Sequence, residues 1–270
     1  MASPAITQPA STTPTLPASG QVVFVGAGPG DAELLTLKAL RVLQTANVVI
    51  HDRLVSADVL ALAKSDAQLI NVGKQGFGPS TAQSDIHALI VKHARAGARV
   101  ARLKGGDVTL FARLDEEIEA LEAANLPWTI VPGITAASSA VANIGQSLTK
   151  RGRNGAVRLM TGHDTKGFAD HDWQTLARPG EVAAIYMGVK AARFIQGRLL
   201  MHGADGETPV TIVENASRAD ERIIATTLAA LPTDLAERCS GGPALTFLGL
   251  APRAATRIQK STEFHAQELA

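Results

Sequence analysis

The sequence predicts an α/β fold divided into two lobes. Three observations carry that prediction. Hydrophobic residues fill 46% of the 270 positions while aromatics fill only 4%, so the core must be Ala, Val, Leu and Ile, the mixture found where parallel strands alternate with helices. Short apolar runs alternate with amphipathic stretches along most of the chain and do not recur in tandem. Near the middle, Pro132 and Gly133 punctuate "IVPGITAASSAVANIG", and a boundary close to residue 133 leaves two α/β lobes with a cleft between them.

The elements follow in order. "MASPAITQPASTTPTLPASG" is rich in Pro, Ser, Thr and Ala and has no period, so residues 1–20 read as a disordered leader. "QVVFVG" is a strand candidate, "LTLKALRVLQTA" has helical spacing, and "NVVIHD" is a second strand, which makes a βαβ opening. Further strand candidates are "QLINVG", "ARVARLKGG", "WTIVPG", "AVRLMTGH", "EVAAIYMG", "PVTIVEN" and "ALTFLGL". Between them lie the helical stretches "QSDIHALIVKHARAG", "LDEEIEALEAAN" and "VKAARFIQGRLLMHG". The expected domains are 21–133 and 134–255, with 256–270 as a tail.

Composition excludes several function classes. The 26 basic and 25 acidic residues leave a net charge of +1, too balanced for a general nucleic-acid or membrane-surface footprint. No segment resembles a secretory signal or a bilayer span, so a cytoplasmic protein is expected. The one cysteine, Cys239, cannot form an internal disulfide and reads as a structural thiol. The seven histidines show no metal-ligand spacing, and no metal is expected. Asn215 begins an "NAS" sequon that has no meaning without secretion.

The opening turn, "VGAGPGD", invites a dinucleotide-binding reading. From Gly26 the pattern puts Asp31 where the fingerprint needs Gly or Ala, and Pro29 removes a backbone donor that would face a pyrophosphate. The nicotinamide reading is therefore set aside. A second informative stretch is "RLKGGDVTLFARLDEE", where Gly105 and Gly106 permit a sharp turn and Asp107 can accept from a ligand. The competing reading makes Asp107 a helix cap.

"VGAGPGDAELLTLKAL", "HDRLVS", "VGKQGFG", "RLKGGD", "VPGITAAS", "TGHD", "IYMG" and "TPVTIVEN" stand in the order and spacing of the tetrapyrrole methylases, and the chain resembles that family from Gln21 to about Leu250. The resemblance implies S-adenosylmethionine-dependent methylation of uroporphyrinogen III on rings A and B, giving precorrin-2 by way of precorrin-1. It also implies a homodimer of two-lobed subunits with the cofactor in the interlobe cleft. The leader is too short for the dehydrogenase and chelatase segment of sirohaem synthases, so a stand-alone methyltransferase is implied.

Carried over by position, the cofactor contacts are Pro29, Gly105, Gly106, Asp107, Leu110, Thr135, Ala136, Met187 and Ala216. Asp52 and Lys74 fall on the proposed active-site positions, Asp52 to remove or steer a proton and Lys74 to pair with a substrate carboxylate or polarise the ring system. The octacarboxylate substrate asks for local cations, and Arg53, Arg113, Lys150, Arg151 and Arg153 are the candidates. Three departures bear on the exact substrate. Val108 replaces a proline, with Ala112, Leu114 and Asp115 in place of glycines. "GQSLTKRG" puts Ser147 and Lys150 where Pro and His are usual. Ala216 stands where glycine is common. Two alternatives stay open: a methyltransferase for a later precorrin, and a non-catalytic S-adenosylmethionine-binding regulatory protein.

Overall fold

The computed structural model describes residues 20–73, 82–165 and 167–253. The described residues form two compact units, one reaching to Ser139 and taking in Asn215–Glu221, the other made of Ala140–Glu214 and the residues from Arg222 onward.

Unit 1 is a five-stranded parallel sheet in the order β3-β2-β4-β1-β5. Its elements run β1 (Val22–Gly26), a 3₁₀ turn (Ala32–Leu34), α1 (Leu37–Leu43), β2 (Val48–His51), α2 (Ala57–Leu60), β3 (Gln68–Asn71), α3 (Gln83–Arg95), β4 (Val100–Lys104), α4 (Leu114–Ala123) and β5 (Trp128–Val131). The continuous apolar strands follow from burial on both faces. Val23 and Val25 of β1 pack with Ala39, Leu43 and Val59 on one side, while Val22 and Phe24 pack with Ile86, Ile90 and Leu121 on the other. Successive strand side chains point oppositely, so one apolar run serves two cores. Helix α5 (Ala136–Asn143) follows β5.

Unit 2 holds β6 (Arg158–Thr161), the ribbon β7 (His163–Asp164) and β8 (Gly167–Phe168), α6 (Trp173–Leu176), β9 (Ala183–Tyr186), α7 (Ala192–Met201), β10 (Pro209–Glu214), β11 (Arg222–Thr227), α8 (Leu231–Arg238) and β12 (Ala244–Leu248). Its main sheet, β11-β10-β12-β9-β6, is mixed: β6 and β9 are parallel and the other pairs antiparallel. Trp173, Ile185, Ile195, Leu199, Ile212, Leu231 and Leu235 form its core. Strand β11 and helices α5 and α8 are not among the elements read from the sequence. β11 is an edge strand whose residues are mostly partly exposed, so it lacks an unbroken apolar run.

Candidate active site

The loops of unit 1 that carry the sequence motifs all leave the carboxyl ends of its parallel strands. β1 and β4 are neighbours, yet their onward connections run to opposite sides of the sheet, β1 to β2 and β4 to β5. Such a switch point is where open parallel sheets bind ligands.

Four glycines let the backbones meet there. A Cβ on Gly26 would lie 2.5 Å from the Gly133 nitrogen and 2.8 Å from the Gly106 carbonyl oxygen. A Cβ on Gly133 would collide with that same carbonyl and sit 2.8 Å from the Gly26 carbonyl carbon. Gly28 and Gly106, at φ +73° and +72°, exchange two hydrogen bonds, Gly106 N–H to Gly28 at 2.7 Å and Gly28 N–H to Gly106 at 3.1 Å. Every atom crowding Gly26 and Gly133 is backbone and cannot rotate away. Gly133→Ala is accordingly expected to destabilise the protein by about 1–3 kcal/mol, the usual range for forced overpacking, measured by thermal melting.

The opening turn is not a pyrophosphate cradle. Asp31 caps only the 3₁₀ turn, accepting from Glu33 N–H at 2.9 Å, and α1 begins at Leu37 under its own cap, Thr36. No α-helix N-terminus directly follows the glycines, so the backbone donors and dipole that would hold phosphate are missing. Asp107 caps no helix either. Its Oδ1 accepts from Thr109 N–H at 2.8 Å and Thr109 Oγ1 at 2.9 Å, a local turn well ahead of α4.

Asp52 ends β2 half-buried, and its Oδ1 accepts from Leu54 N–H at 2.9 Å. The neighbouring His51 ring is buried and donates from Nδ1 to the Asp52 carbonyl at 3.0 Å. Arg53 is exposed, with its backbone packed on Gly73: a Cβ there would lie 2.5 Å from Arg53 N. Thr135 and Ala136 open α5 on the far side of Gly106, where a Cβ on that glycine would lie 3.9 Å from Ala136 N. Pro29 and Leu110 are half-buried and Ala216 is buried. Lys74 lies outside the described residues.

In unit 2, Met187 is 50% exposed at φ +52°, a conformation few L-residues adopt. Two contacts fix it: His163 Nδ1–H donates to its carbonyl at 3.0 Å, and Gly162 approaches so closely that a Cβ there would lie 2.7 Å from that oxygen. The "TGH" and "YMG" motifs therefore pack on each other. Lys150 and Arg151 stand exposed on a loop bordering a basin of ≈ 550 Å³. Arg153 turns inward instead, donating to the Ser147 carbonyl at 2.7 Å and to Asn154 Oδ1 at 2.8 Å, so it orders the loop that displays the other two. In unit 1, the Arg113 fork is already filled by Glu116, with bonds of 2.7 and 2.6 Å. That pairing holds Glu116 below and Arg113 above the usual ranges.

Sequence reasoning missed a buried ionic cluster beneath the Gly105–Asp107 turn. Arg102 and Lys104 face the α3 and α4 side of β4, where Glu117 of α4 meets both, Arg102 Nε at 3.0 Å and Lys104 Nζ at 2.6 Å. Gln83 Nε2 adds a bond to Glu117 at 3.1 Å. Burial alone would raise the Glu117 carboxyl, but Arg102 and Lys104 hold it below its ordinary value. Burial and the Arg102 charge press Lys104 down, opposed by Glu117 and by Asp52. The signal was present: two cations in a strand buried on both faces require an anion, and "DEE" in α4 supplies one.

Among the described residues, no cluster of His, Cys, Asp and Glu could hold a metal ion, and no helix is long and apolar enough to cross a membrane. Cys239 is a free, half-buried thiol, and burial raises its pKa.

A parallel sheet whose switch point is closed by glycine contacts, with a carboxylate following β2, defines an α/β protein of the kind whose ligands bind at the carboxyl ends of the strands. The model for Tetrapyrrole (Corrin/Porphyrin) Methylases matches residues 21–232, and the chain belongs to that family. Siroheme synthase from Edwardsiella ictaluri (strain 93-146) is 47% identical over 230 residues, 85% of this chain and 49% of that protein. The corresponding protein of Pseudoalteromonas translucida (strain TAC 125) is 44% identical with the same shares. The chain thus spans about half the length of the curated relatives it matches. Among solved structures, a uroporphyrin-III C-methyl transferase from Thermus thermophilus complexed with S-adenyl homocysteine superposes with a TM-score of 0.72 at 38% identity, covering 85% of this chain and 92% of that one. A cobalt precorrin-4 methyltransferase gives a TM-score of 0.76 at 25% identity, covering 85% and 95%.

Proposed function

We propose that the chain transfers methyl groups from S-adenosylmethionine to ring A and ring B carbons of uroporphyrinogen III, producing precorrin-2 through precorrin-1. The observation that carries this reading is the likeness to the Thermus enzyme over 92% of its length. Membership of a homodimer and a cytoplasmic location belong to the same reading.

The residues suit S-adenosylmethionine as a bound reactant. Gly106 presents bare backbone for close approach, its Cβ position meeting nothing nearer than Ala136 N at 3.9 Å, and Asp107 Oδ2 has no hydrogen-bond partner among the described residues, so it can take an ammonium group. Bound there, the sulfonium supplies an electrophilic methyl, and the sulfur keeps the bonding pair when that methyl leaves. Pro29, Gly105, Gly106, Asp107, Leu110, Thr135, Ala136, Met187 and Ala216 are assigned to holding it. The substituted pyrrole carbon that forms the new C–C bond becomes quaternary and carries no proton of its own, so the cationic ring system would regain neutrality by losing one from its nitrogen or an adjacent bridging carbon, and Asp52 is assigned to receive or steer that proton. Holding the two reacting centres together supplies much of the remaining acceleration. Lys74 and Arg53 are assigned to substrate carboxylates.

Lys150 and Arg151 are assigned to the same carboxylates. Replacing both by glutamate is expected to raise the tetrapyrrole KM about tenfold or more, while calorimetric affinity for S-adenosylhomocysteine stays unchanged. A second reading, methylation of a later precorrin, draws on the substituted loop Val108–Asp115 and the likeness to cobalt precorrin-4 methyltransferase. Anaerobic incubation of the protein with uroporphyrinogen III and S-adenosylmethionine separates the readings. Two methyl groups gained, with matching S-adenosylhomocysteine release, is the expected result, and cofactor binding without methyl gain would move the later precorrins forward.

A further inference from the structure

One cation that the family motifs do not mark ties three segments of unit 1 together. Arg218 lies in the strap Asn215–Glu221, which groups with unit 1 although β10 and β11 on either side of it belong to unit 2. Its aliphatic stem fills the space beside Gly30: a Cβ built there, at φ +151°, would lie 2.6 Å from Arg218 Cγ. Its Nη2 then donates to the Leu54 carbonyl at 2.7 Å. Leu54 N–H in turn donates to Asp52 Oδ1 at 2.9 Å. Leu54 also packs on the second motif, since a Cβ on Gly105 would lie 2.8 Å from Leu54 Cβ.

Beyond the His51 Nδ1 bond to the Asp52 carbonyl at 3.0 Å and the Ser56 Oγ bond to the Gly30 carbonyl at 2.6 Å, the turn after β2 is loosely closed. Its own closing bond, Val55 N–H to the Asp52 carbonyl, is long at 3.5 Å, and Leu54 is half exposed. The strap, by contrast, is well braced. Ser217 Oγ accepts from Asp31 N–H at 3.1 Å, Ser217 N–H donates to Glu221 at 2.6 Å, and Asn215 Nδ2 donates to Asp220 at 2.8 Å. Asn215 and Ser217 sit at φ +53° and +62°, strain that persists where surrounding bonds over-determine the backbone. Arg218 Nε is buried without a partner among the described residues, so the Nη2 bond to Leu54 is the recorded polar hold of the guanidinium on this turn.

We infer that Arg218 is a positioning residue for Asp52. It fixes the carbonyl of the residue whose N–H orients the Asp52 carboxylate, and so sets that group for proton transfer. The kinetic consequence rests on the methyl transfer proposed above; the geometric one does not.

The test compares full-length Arg218→Ala and Arg218→Lys with the unsubstituted chain by hydrogen exchange and by kinetics. In Arg218→Ala the Leu54 amide should exchange about tenfold faster while β10 is unchanged. Arg218→Lys, which can still give one bond to the Leu54 carbonyl, should recover most of the protection. Methyl transfer should lose about tenfold or more in kcat in Arg218→Ala, with S-adenosylhomocysteine affinity and tetrapyrrole KM nearly unchanged and partial rescue in Arg218→Lys. Unaltered Leu54 exchange overturns the inference. So does a loss confined to cofactor affinity, or a uniform loss of protection with lysine no better than alanine. If Arg218→Ala does not fold, Arg218→Lys against Arg218→Gln is read by the same criteria. Absence of methyl transfer in the unsubstituted chain would sink the proposed function, and the exchange data would still decide the geometry.

Discussion

Asp52→Asn is expected to slow methyl transfer by about two to four orders of magnitude, the range that a positioned proton acceptor contributes. The substitution is clean because asparagine keeps an Oδ1 that can accept from Leu54 N–H, the bond Asp52 makes at 2.9 Å. The turn and the Arg218 contact then survive, and only the negative charge and the capacity to take a proton are lost. Melting temperature and S-adenosylhomocysteine affinity should stay close to those of the unsubstituted chain. S-adenosylhomocysteine release under anaerobic conditions measures the effect, and a rate within about threefold of normal would remove Asp52 from proton transfer.

Glu117→Gln should be the most destabilising of these substitutions, by about 3–5 kcal/mol, because it leaves buried cations without their counter-charge. Arg102 and Lys104 are 3% and 5% exposed and Glu117 1%, so water cannot take over the lost pairing. The pH dependence has a definite sign. Glu117 titrates below its ordinary value when folded, so between the folded and unfolded pKa values the unfolded chain binds more protons and stability rises with pH. The ion pairs therefore contribute fully above the ordinary glutamate range and are lost as pH falls through the folded value. Urea melts should show the gap between the two proteins narrowing in acid. A gap that persists unchanged into strong acid would show that charge pairing is not its origin.

The first lobe was legible because its physics is local and repetitive. Strands such as "VVFVG" and the "VVI" of β2 are apolar since both faces are covered, and Gly106 in "KGGD" marks the sharp turn that its φ of +72° makes. The second sheet was harder. β11 is an edge strand, and α5 is built from small residues, "AASSAVAN", which give weak helical contrast. Pairings across long separations were invisible: Arg218 meets Leu54 across 164 positions, and no spacing rule reports such a contact. Candidate cations were found by type alone, so the sequence did not distinguish exposed Lys150 and Arg151 from Arg153, which is occupied with its own loop.

The activity proposed for the chain is methyl transfer from S-adenosylmethionine to carbon on a tetrapyrrole. Its most direct test is anaerobic incubation of the protein and uroporphyrinogen III with S-adenosylmethionine labelled with carbon-13 in the methyl group, followed by carbon NMR of the product. Two labelled methyl resonances are expected, each attached to a saturated ring carbon, appearing in succession as precorrin-1 is converted to precorrin-2. Label retained on sulfur, in a protein that nonetheless binds S-adenosylhomocysteine and uroporphyrinogen III, would contradict it.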